Sequence, residues 1–266
     1  MKTNYTETTN DLMKRIEIHQ KYGTKDIDRW MLDLLHLEGN IRILDIGCGS
    51  GKQCFLFNDY LKGDSLITGG DISKELLAKA REENKTRGSK IRFINLDFNK
   101  KFPFPDTSFD LLTCCFALYY AENIAFTISE MFRVLKHGGR LFVTGPMPEN
   151  KKEFYKIIKK ATNKRIPLMP GSSRYSSQIL DLIKDIFDKI EIHIFENPLI
   201  FNNVKPFIDY TRASLSEDRK LWSTMFMDES FREIIDKITR VARKRIAEGG
   251  KIIMTKVVGG FIAYKK

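Results

Sequence analysis

No run of apolar residues in this 266-residue sequence approaches the roughly twenty needed to cross a bilayer, and Met1 to Thr8 carry no apolar stretch of the secretory kind. The longest apolar run, Leu111 to Tyr120, suits a buried strand and its exit. Cysteine is scarce: Cys48, Cys54, Cys114 and Cys115 include an adjacent pair but no Cys-x-x-Cys. Neither a disulfide framework nor a zinc knuckle is therefore expected, and no metal site is assigned. These absences predict a protein of the reducing cytoplasm, without membrane attachment. Repeats and low-complexity segments are also lacking.

Positive charge is plentiful: 45 Lys and Arg against 34 Asp and Glu give a net charge of +11. Such a balance admits nucleic acid, a membrane surface or acidic metabolites as partners, and equally a solvated lysine-rich face. Basic residues cluster from Lys151 to Arg165 with Glu153 the only acid, yet the aromatics there are only Phe154 and Tyr155. A base-stacking platform is not evident. Hydrophobic residues make up 42% of the chain, ordinary for a folded protein, and the length suits one decorated α/β domain.

Hydrophobic periodicity predicts helices over 10–38, broken at Tyr22-Gly23, then a strand at Ile41 to Ile46 and a helix from Lys52 to Leu61. Further strands are expected at Ser65 to Gly69, Ile91 to Leu96, Phe109 to Cys115 and Arg140 to Thr144. Helices intervene after Ser73 and from Ile124 to Leu135, the latter capped by Gly138-Gly139. This alternation calls for a doubly wound, Rossmann-like, mostly parallel sheet. A basic helix from Lys151 to Ala161, a helix at Gln178 to Phe187 and a sixth parallel strand at Ile190 to Phe195 follow. The helical stretch Val204 to Glu248 includes a capping box, Ser230 with Glu233. Ile252 to Tyr264 reads as a seventh strand, antiparallel and at the sheet edge. The expected organisation is an N-terminal helical segment (1–38), a core (39–201), a helical cap (202–249) and a final edge strand (250–266).

Function is concentrated in Asp45-Ile46-Gly47-Cys48-Gly49-Ser50-Gly51, a glycine turn where a doubly wound sheet binds its ligand. A nucleoside-triphosphate loop fails, because Ile46 stands for its first glycine and Gln53 for its hydroxyl. A dinucleotide loop fails too, since Lys52 occupies its third glycine. An acid at the strand tip suits a cationic ligand and would repel a pyrophosphate.

The segment resembles the glycine motif of class I S-adenosylmethionine (SAM)-dependent methyltransferases. Gly70-Asp71-Ile72-Ser73, Asn95-Leu96-Asp97-Phe98, Phe104 to Asp110 and Glu130 to Gly139 extend the similarity to the subgroup with ubiquinone/menaquinone C-methyltransferases and many small-molecule methyltransferases. The resemblance implies SAM as cofactor and S-adenosylhomocysteine (SAH) as product. It implies cofactor contacts from Asp45, Gly47, Cys48, Gly49 and Gly51, from Asp71 and Ile72 at the ribose, and from Asp97 and Phe98 at the adenine. Cys115 and Phe116 would lie near the methyl group, and Tyr22 would close over the cofactor.

The helices before the last strand are placed to roof the site, which makes Tyr210, Arg212 and Trp222 candidates for acceptor binding, and Tyr119 and Tyr120, after the fourth strand, are further candidates. His19, Tyr22, Tyr119, Tyr120 and His193 are candidate bases, and no catalytic residue is assigned. A small-molecule acceptor, anionic if the basic charge serves it, is the leading expectation. An RNA methyltransferase and a non-catalytic SAM-binding protein are the alternatives.

Overall fold

The computed structural model describes residues 8–217, 219–227 and 229–266; the first seven residues of the expected N-terminal segment lie outside them. Seven strands, β1 (Arg42–Ile46), β2 (Leu66–Asp71), β3 (Arg92–Asn95), β4 (Phe109–Cys115), β5 (Leu135–Pro146), β6 (Lys189–Phe201) and β7 (Ile252–Tyr264), form one sheet. Their order is β3-β2-β1-β4-β5-β7-β6. The first five are parallel, and β7 is antiparallel to both its neighbours, so β6 runs with the first five. The strand order reverses between β1 and β4, the place where an open α/β sheet leaves a crevice at its strand tips.

The helices are α1 (Thr9–Tyr22), α2 (Ile27–Leu35), α3 (Lys52–Tyr60), α4 (Lys74–Arg87), α5 (Ile124–Val134), α6 (Lys152–Thr162), α7 (Pro170–Arg174), α8 (Leu180–Ile186), α9 (Val204–Glu217), α10 (Arg219–Met225) and α11 (Phe231–Gly249). Their ends follow local chemistry. Ser73 accepts from the Leu76 N–H and Gly88 closes α4 at φ +65°. Ser230 and Glu233 make the expected reciprocal box at the start of α11.

Two expectations are corrected. β7 does not lie at the sheet edge; β6 takes that place. The reason is burial on both faces, since Val257 to Ala263 are all buried. A Cβ on Gly260 would stand 2.7 Å from the Trp30 ring, and one on Gly259 would stand 2.7 Å from Met147 Sδ. The glycine pair that interrupts the run thus marks a crowded interior strand. Gly138-Gly139, expected to cap α5, instead lie inside β5, where the Gly138 N–H donates to the Lys265 carbonyl and Gly139 accepts from the Lys265 N–H. Backbone pairing with the segment after β7 outweighs the local capping preference.

Three apolar clusters result. Met31, Leu35, Phe57 and Leu77 belong to the cluster on one face of the sheet, and Ile128, Met131, Tyr175 and Ile183 to that on the other. The third lies beyond the parallel strands. β6 and β7 stay paired past the level of Pro146 as far as Phe201 and Ile252, and Leu199, Phe201 and Met254 of this ribbon pack with Ile18, Phe154, Phe207, Tyr210 and Ile238. The ribbon holds a roof of α1, α6, α9 and α11 at the end of the sheet where the parallel strands terminate. Asn197 pins the chain between α1 and α2 to it, accepting from the Thr24 and Lys25 N–H groups at 2.8 and 3.0 Å.

Candidate active site

The turn after β1 is built of backbone. Gly47, Gly49 and Gly51 have φ of +71°, +55° and +85°, a region that favours glycine. The Gly47 and Cys48 N–H groups donate to the Gly70 carbonyl at 2.8 and 3.1 Å. The Asp71 carboxylate then accepts from the Gly49 N–H and the Ser73 N–H, each at 2.8 Å. The Asn95 amide donates to the carbonyls of Asp71 and Ile72, joining the tip of β3 to that of β2. A Cβ on Gly47 would stand 2.5 Å from Ala117 Cβ, so the turn also abuts the exit of β4.

Beside Gly49 there is room for a methyl group, an added Cβ meeting only Leu76 Cδ1 at the van der Waals distance of 3.9 Å. Ile72 is 63% exposed although it is a large apolar residue at a strand tip. Asp97 accepts from the Asn99 N–H at 3.0 Å and lies 3.6 Å from Lys100 Nζ. Phe98 is partly buried, its ring edge 3.9 Å from the position of a Gly47 Cβ. Two carboxylates, bare backbone and two apolar side chains therefore border one crevice.

Asp45 stands differently from the expected direct ligand. It is buried, accepting from Thr113 Oγ1 at 2.6 Å and from the Cys54 thiol at 3.5 Å. Burial pushes its carboxyl up to about 7, against the lowering effect of those two hydrogen bonds. In this geometry it braces β1 against β4 and α3. Cys48 is buried under the turn, and Cys114 is buried in β4. Desolvation raises the Cys114 and Cys115 thiols far above their usual value, so neither is a nucleophile near neutral pH. Cys115 Sγ lies 4.0 Å from Met31 Sδ, and Phe116 leaves β4 at φ +57° with its N–H donating to the Thr144 carbonyl.

On the roof side, Tyr22 packs on Phe201 with ring centroids 5.2 Å apart. Tyr119 is buried against Gly171 and Tyr120 is partly buried beside it, their ring centroids 4.6 Å apart. Tyr210 is fully buried, facing His19 and Phe154. Two pocket candidates fall elsewhere. Arg212, two residues from Tyr210, is exposed on the opposite side of α9. Trp222 is buried in the roof cluster and stacked on Phe226, where it serves packing. His193 lies on edge strand β6, in register with Gly260 and separated from β4 by β7 and β5.

One side chain not singled out in the sequence, Lys256, joins the candidate base His19 beside the exit of β4. Lys256 Nζ lies 4.9 Å from the Phe116 ring centroid and 3.2 Å from His19 Nδ1; His19 Nε2 lies 3.4 Å from the Tyr210 hydroxyl. Lys151 Nζ stands 5.9 Å from the Tyr210 ring. Desolvation, then Lys256, Arg15, Lys151 and Lys52, hold the His19 imidazole well below its usual value, although one edge of the residue remains partly exposed. Lys256 was hidden because it lies in an apolar strand whose extension past the sheet is a tertiary feature. Among the described residues no group of three His, Cys, Asp or Glu could hold a metal ion.

The crevice suits a sulfonium nucleoside. Its side-chain-free wall at Gly49 admits close approach, its carboxylates suit hydroxyl and amino donors, and Ile72 and Phe98 offer apolar surfaces to a base. Residues 37–205 match the family described as methyltransferase domain. The chain is 30% identical over 146 residues to a demethylmenaquinone methyltransferase of Thermus thermophilus, covering 54% of this chain and 66% of that one. It is 31% identical over 132 residues to a ubiquinone/menaquinone biosynthesis C-methyltransferase of Xanthomonas axonopodis, covering 49% and 50%. The chain thus spans about half to two thirds of these relatives' length. The solved structure of the YcgJ protein from Bacillus subtilis shares the fold at a TM-score of 0.58 and 19% identity, over 90% of this chain and 98% of that one. With more than half its length matched, the chain belongs to the methyltransferase domain family, in its class I, SAM-dependent form.

Proposed function

We propose that this chain methylates a small, anionic molecule, releasing SAH, and works in the cytoplasm. The observation that carries the reading is the Asp71 to Gly49 clamp at the point where the strand order reverses, beside an exposed Ile72. In this reading Asp71 meets the ribose hydroxyls, Ile72, Asp97 and Phe98 flank the adenine, and the Gly47 to Gly51 backbone approaches the amino-acid portion. Asp45 acts from beneath, while Cys115, Phe116 and Tyr22 border the methyl end. When bound, the cofactor supplies an electrophilic methyl carbon on a positive sulfur; the chain contributes alignment and exclusion of water.

A small acceptor is supported by the closed roof and by the relatives named for quinone biosynthesis. An anionic acceptor is supported by Lys256, whose ammonium lies over the Phe116 ring at the exit of β4. Calorimetry with SAM and SAH, followed by a tritiated-methyl screen of metabolites against total RNA, tests the whole reading. Binding of SAH and label transfer to a metabolite are expected. Transfer to RNA alone would replace the small-molecule reading, and absence of SAH binding would end it.

A further inference from the structure

His19 has no role in the function proposed above and stands where α1 and β7 meet over the exit of β4. His19 lies between two polar partners, with Lys256 Nζ 3.2 Å from Nδ1 and the Tyr210 hydroxyl 3.4 Å from Nε2. An ammonium can only donate, so Nδ1 is the acceptor and Nε2 carries the ring proton toward Tyr210. The basic lone pair of the imidazole thus points at Lys256. The same ammonium lies over the Phe116 ring, at the strand tip where the switch point opens. His19 and Lys256 are each partly exposed, so the pair is not sealed from solvent.

Resting on the reading above, we propose that Lys256 and His19 together receive the acceptor: Lys256 Nζ turns from Nδ1 to anchor an acidic hydroxyl group, and the freed His19 Nδ1 takes its proton. The acceptor class is then a phenol, an enol or a comparably acidic hydroxyl compound, not an amine. In this step the O–H bond breaks, an N–H bond forms at Nδ1 and the electron pair stays on oxygen, ready for the methyl carbon. No oxidant or reductant is involved.

The charges around His19 explain why the step requires the acceptor. Arg15 on α1, Lys52 on α3, Lys151 before α6 and Lys256 on β7 all disfavour the imidazolium, while Tyr210 on α9 is a neutral neighbour. Until an acceptor binds, the ring is accordingly neutral and its Nδ1 lone pair is unprotonated. An acceptor that delivers the proton leaves its own negative charge against Lys256, and this anion offsets the repulsion that kept the ring neutral. An amine acceptor leaves no such anion.

The test uses full-length protein saturated with SAH and titrated with 4-nitrophenol, whose phenolate absorbs in the visible. 4-Nitrobenzyl alcohol serves as the neutral control. Bound 4-nitrophenol is expected to ionise at lower pH than free 4-nitrophenol, and the control to bind at least about tenfold more weakly. With ring-13C histidine, the His19 signal should move to the imidazolium position on adding 4-nitrophenol. Lys256→Met should abolish the ionisation shift, and His19→Gln should remove its low-pH part, while both bind SAH as the parent does. Loss of SAH binding by the parent protein would defeat the methyltransferase reading itself. Normal SAH binding with no ionisation shift, with a shift unchanged in Lys256→Met, or with a His19 signal that stays neutral overturns the assignment. If Lys256→Met fails to bind SAH, Lys256→Gln and the parent's His19 signal decide.

Discussion

Asp71 Oδ2 accepts the Gly49 N–H at 2.8 Å, and this contact makes the tip of β2 a brace for the turn after β1. The other oxygen of the carboxylate starts α4 through the Ser73 N–H. Both bonds are charge-assisted, a kind worth about 1.5–3 kcal/mol. Asp71→Ala should lower the thermal midpoint by several degrees and weaken SAH binding at least about a hundredfold, as read by differential scanning fluorimetry and calorimetry. Asp71→Asn, which keeps one acceptor oxygen, should recover much of the stability but little of the affinity.

Gly47 has no room for a side chain. At φ +71°, with Ala117 Cβ 2.5 Å from any added Cβ, Gly47→Ala combines backbone strain with a clash of two rigid groups. The expected cost is about 2–4 kcal/mol, measured by urea unfolding, together with loss of SAH binding. A companion Gly63→Ala, also at positive φ but with nothing within 4 Å, should show the strain alone.

Asp45 gives stability a particular pH dependence. Its folded carboxyl sits at about 7 against an ordinary value of 3.8, so between these pH values the folded chain holds a proton that the unfolded chain has released. Its contribution is therefore most favourable below the unfolded value and falls by roughly 1 kcal/mol per pH unit as pH rises toward 7, levelling off above. Asp45→Asn, able to accept from Thr113 through its amide oxygen, should lose this slope. The difference in thermal midpoint between variant and parent should grow in the variant's favour from pH 5 to pH 8; a constant difference would contradict the raised value.

How much of this could be seen beforehand varied with the range of the interaction. The turn from Gly47 to Gly51 and the acids at the β2 and β3 tips were legible because strand, turn and helix follow one another within a few residues. The capping box of Ser230 and Glu233 was equally local. The interior position of β7 was not, since strand order depends on pairing with β5 and β6 rather than on neighbours in the chain. Arg212 rests on chemistry rather than helical phase: Tyr210 and Arg212 lie on opposite sides of α9. Lys256 and Asn197 act only where the ribbon overhangs the sheet, and periodicity gives no hint of that overhang.

Arg133 is the hub of the Glu130 to Gly139 motif. Its guanidinium donates to Glu130 twice, to Asp106 and to the carbonyls of Phe102 and Phe104, while Glu130 also accepts the Phe102 N–H at 2.7 Å. The network ties α5 to the turn that introduces β4. Arg133→Ala leaves Glu130, only 10% exposed at its side chain, without its counter-ion, and should cost about 2–4 kcal/mol in urea unfolding. Arg133→Lys should recover less than half, because an ammonium cannot reproduce the planar fork.

The helix phase of the roof separates Arg212 from Trp222 in a measurable way. Trp222→Ala empties a buried site in the roof cluster and should destabilise by about 3–5 kcal/mol. Arg212→Ala should leave both the thermal midpoint and the acceptor KM unchanged; a severalfold rise in KM would restore Arg212 to the pocket.

Because β7 is inserted between β5 and β6, a nascent chain leaving the ribosome cannot finish its sheet in the order of synthesis. β6 has no hydrogen-bonding partner in the sheet until Ile252 onward has been translated, and the intervening helices must wait beside an unclosed gap. The sheet from β1 to β5 can condense early, whereas the helical roof becomes permanent only when the last strand slides into its slot. Truncating that strand would release the edge strand and the roof together, exposing strand edges prone to aggregation and leaving an incomplete α/β intermediate behind.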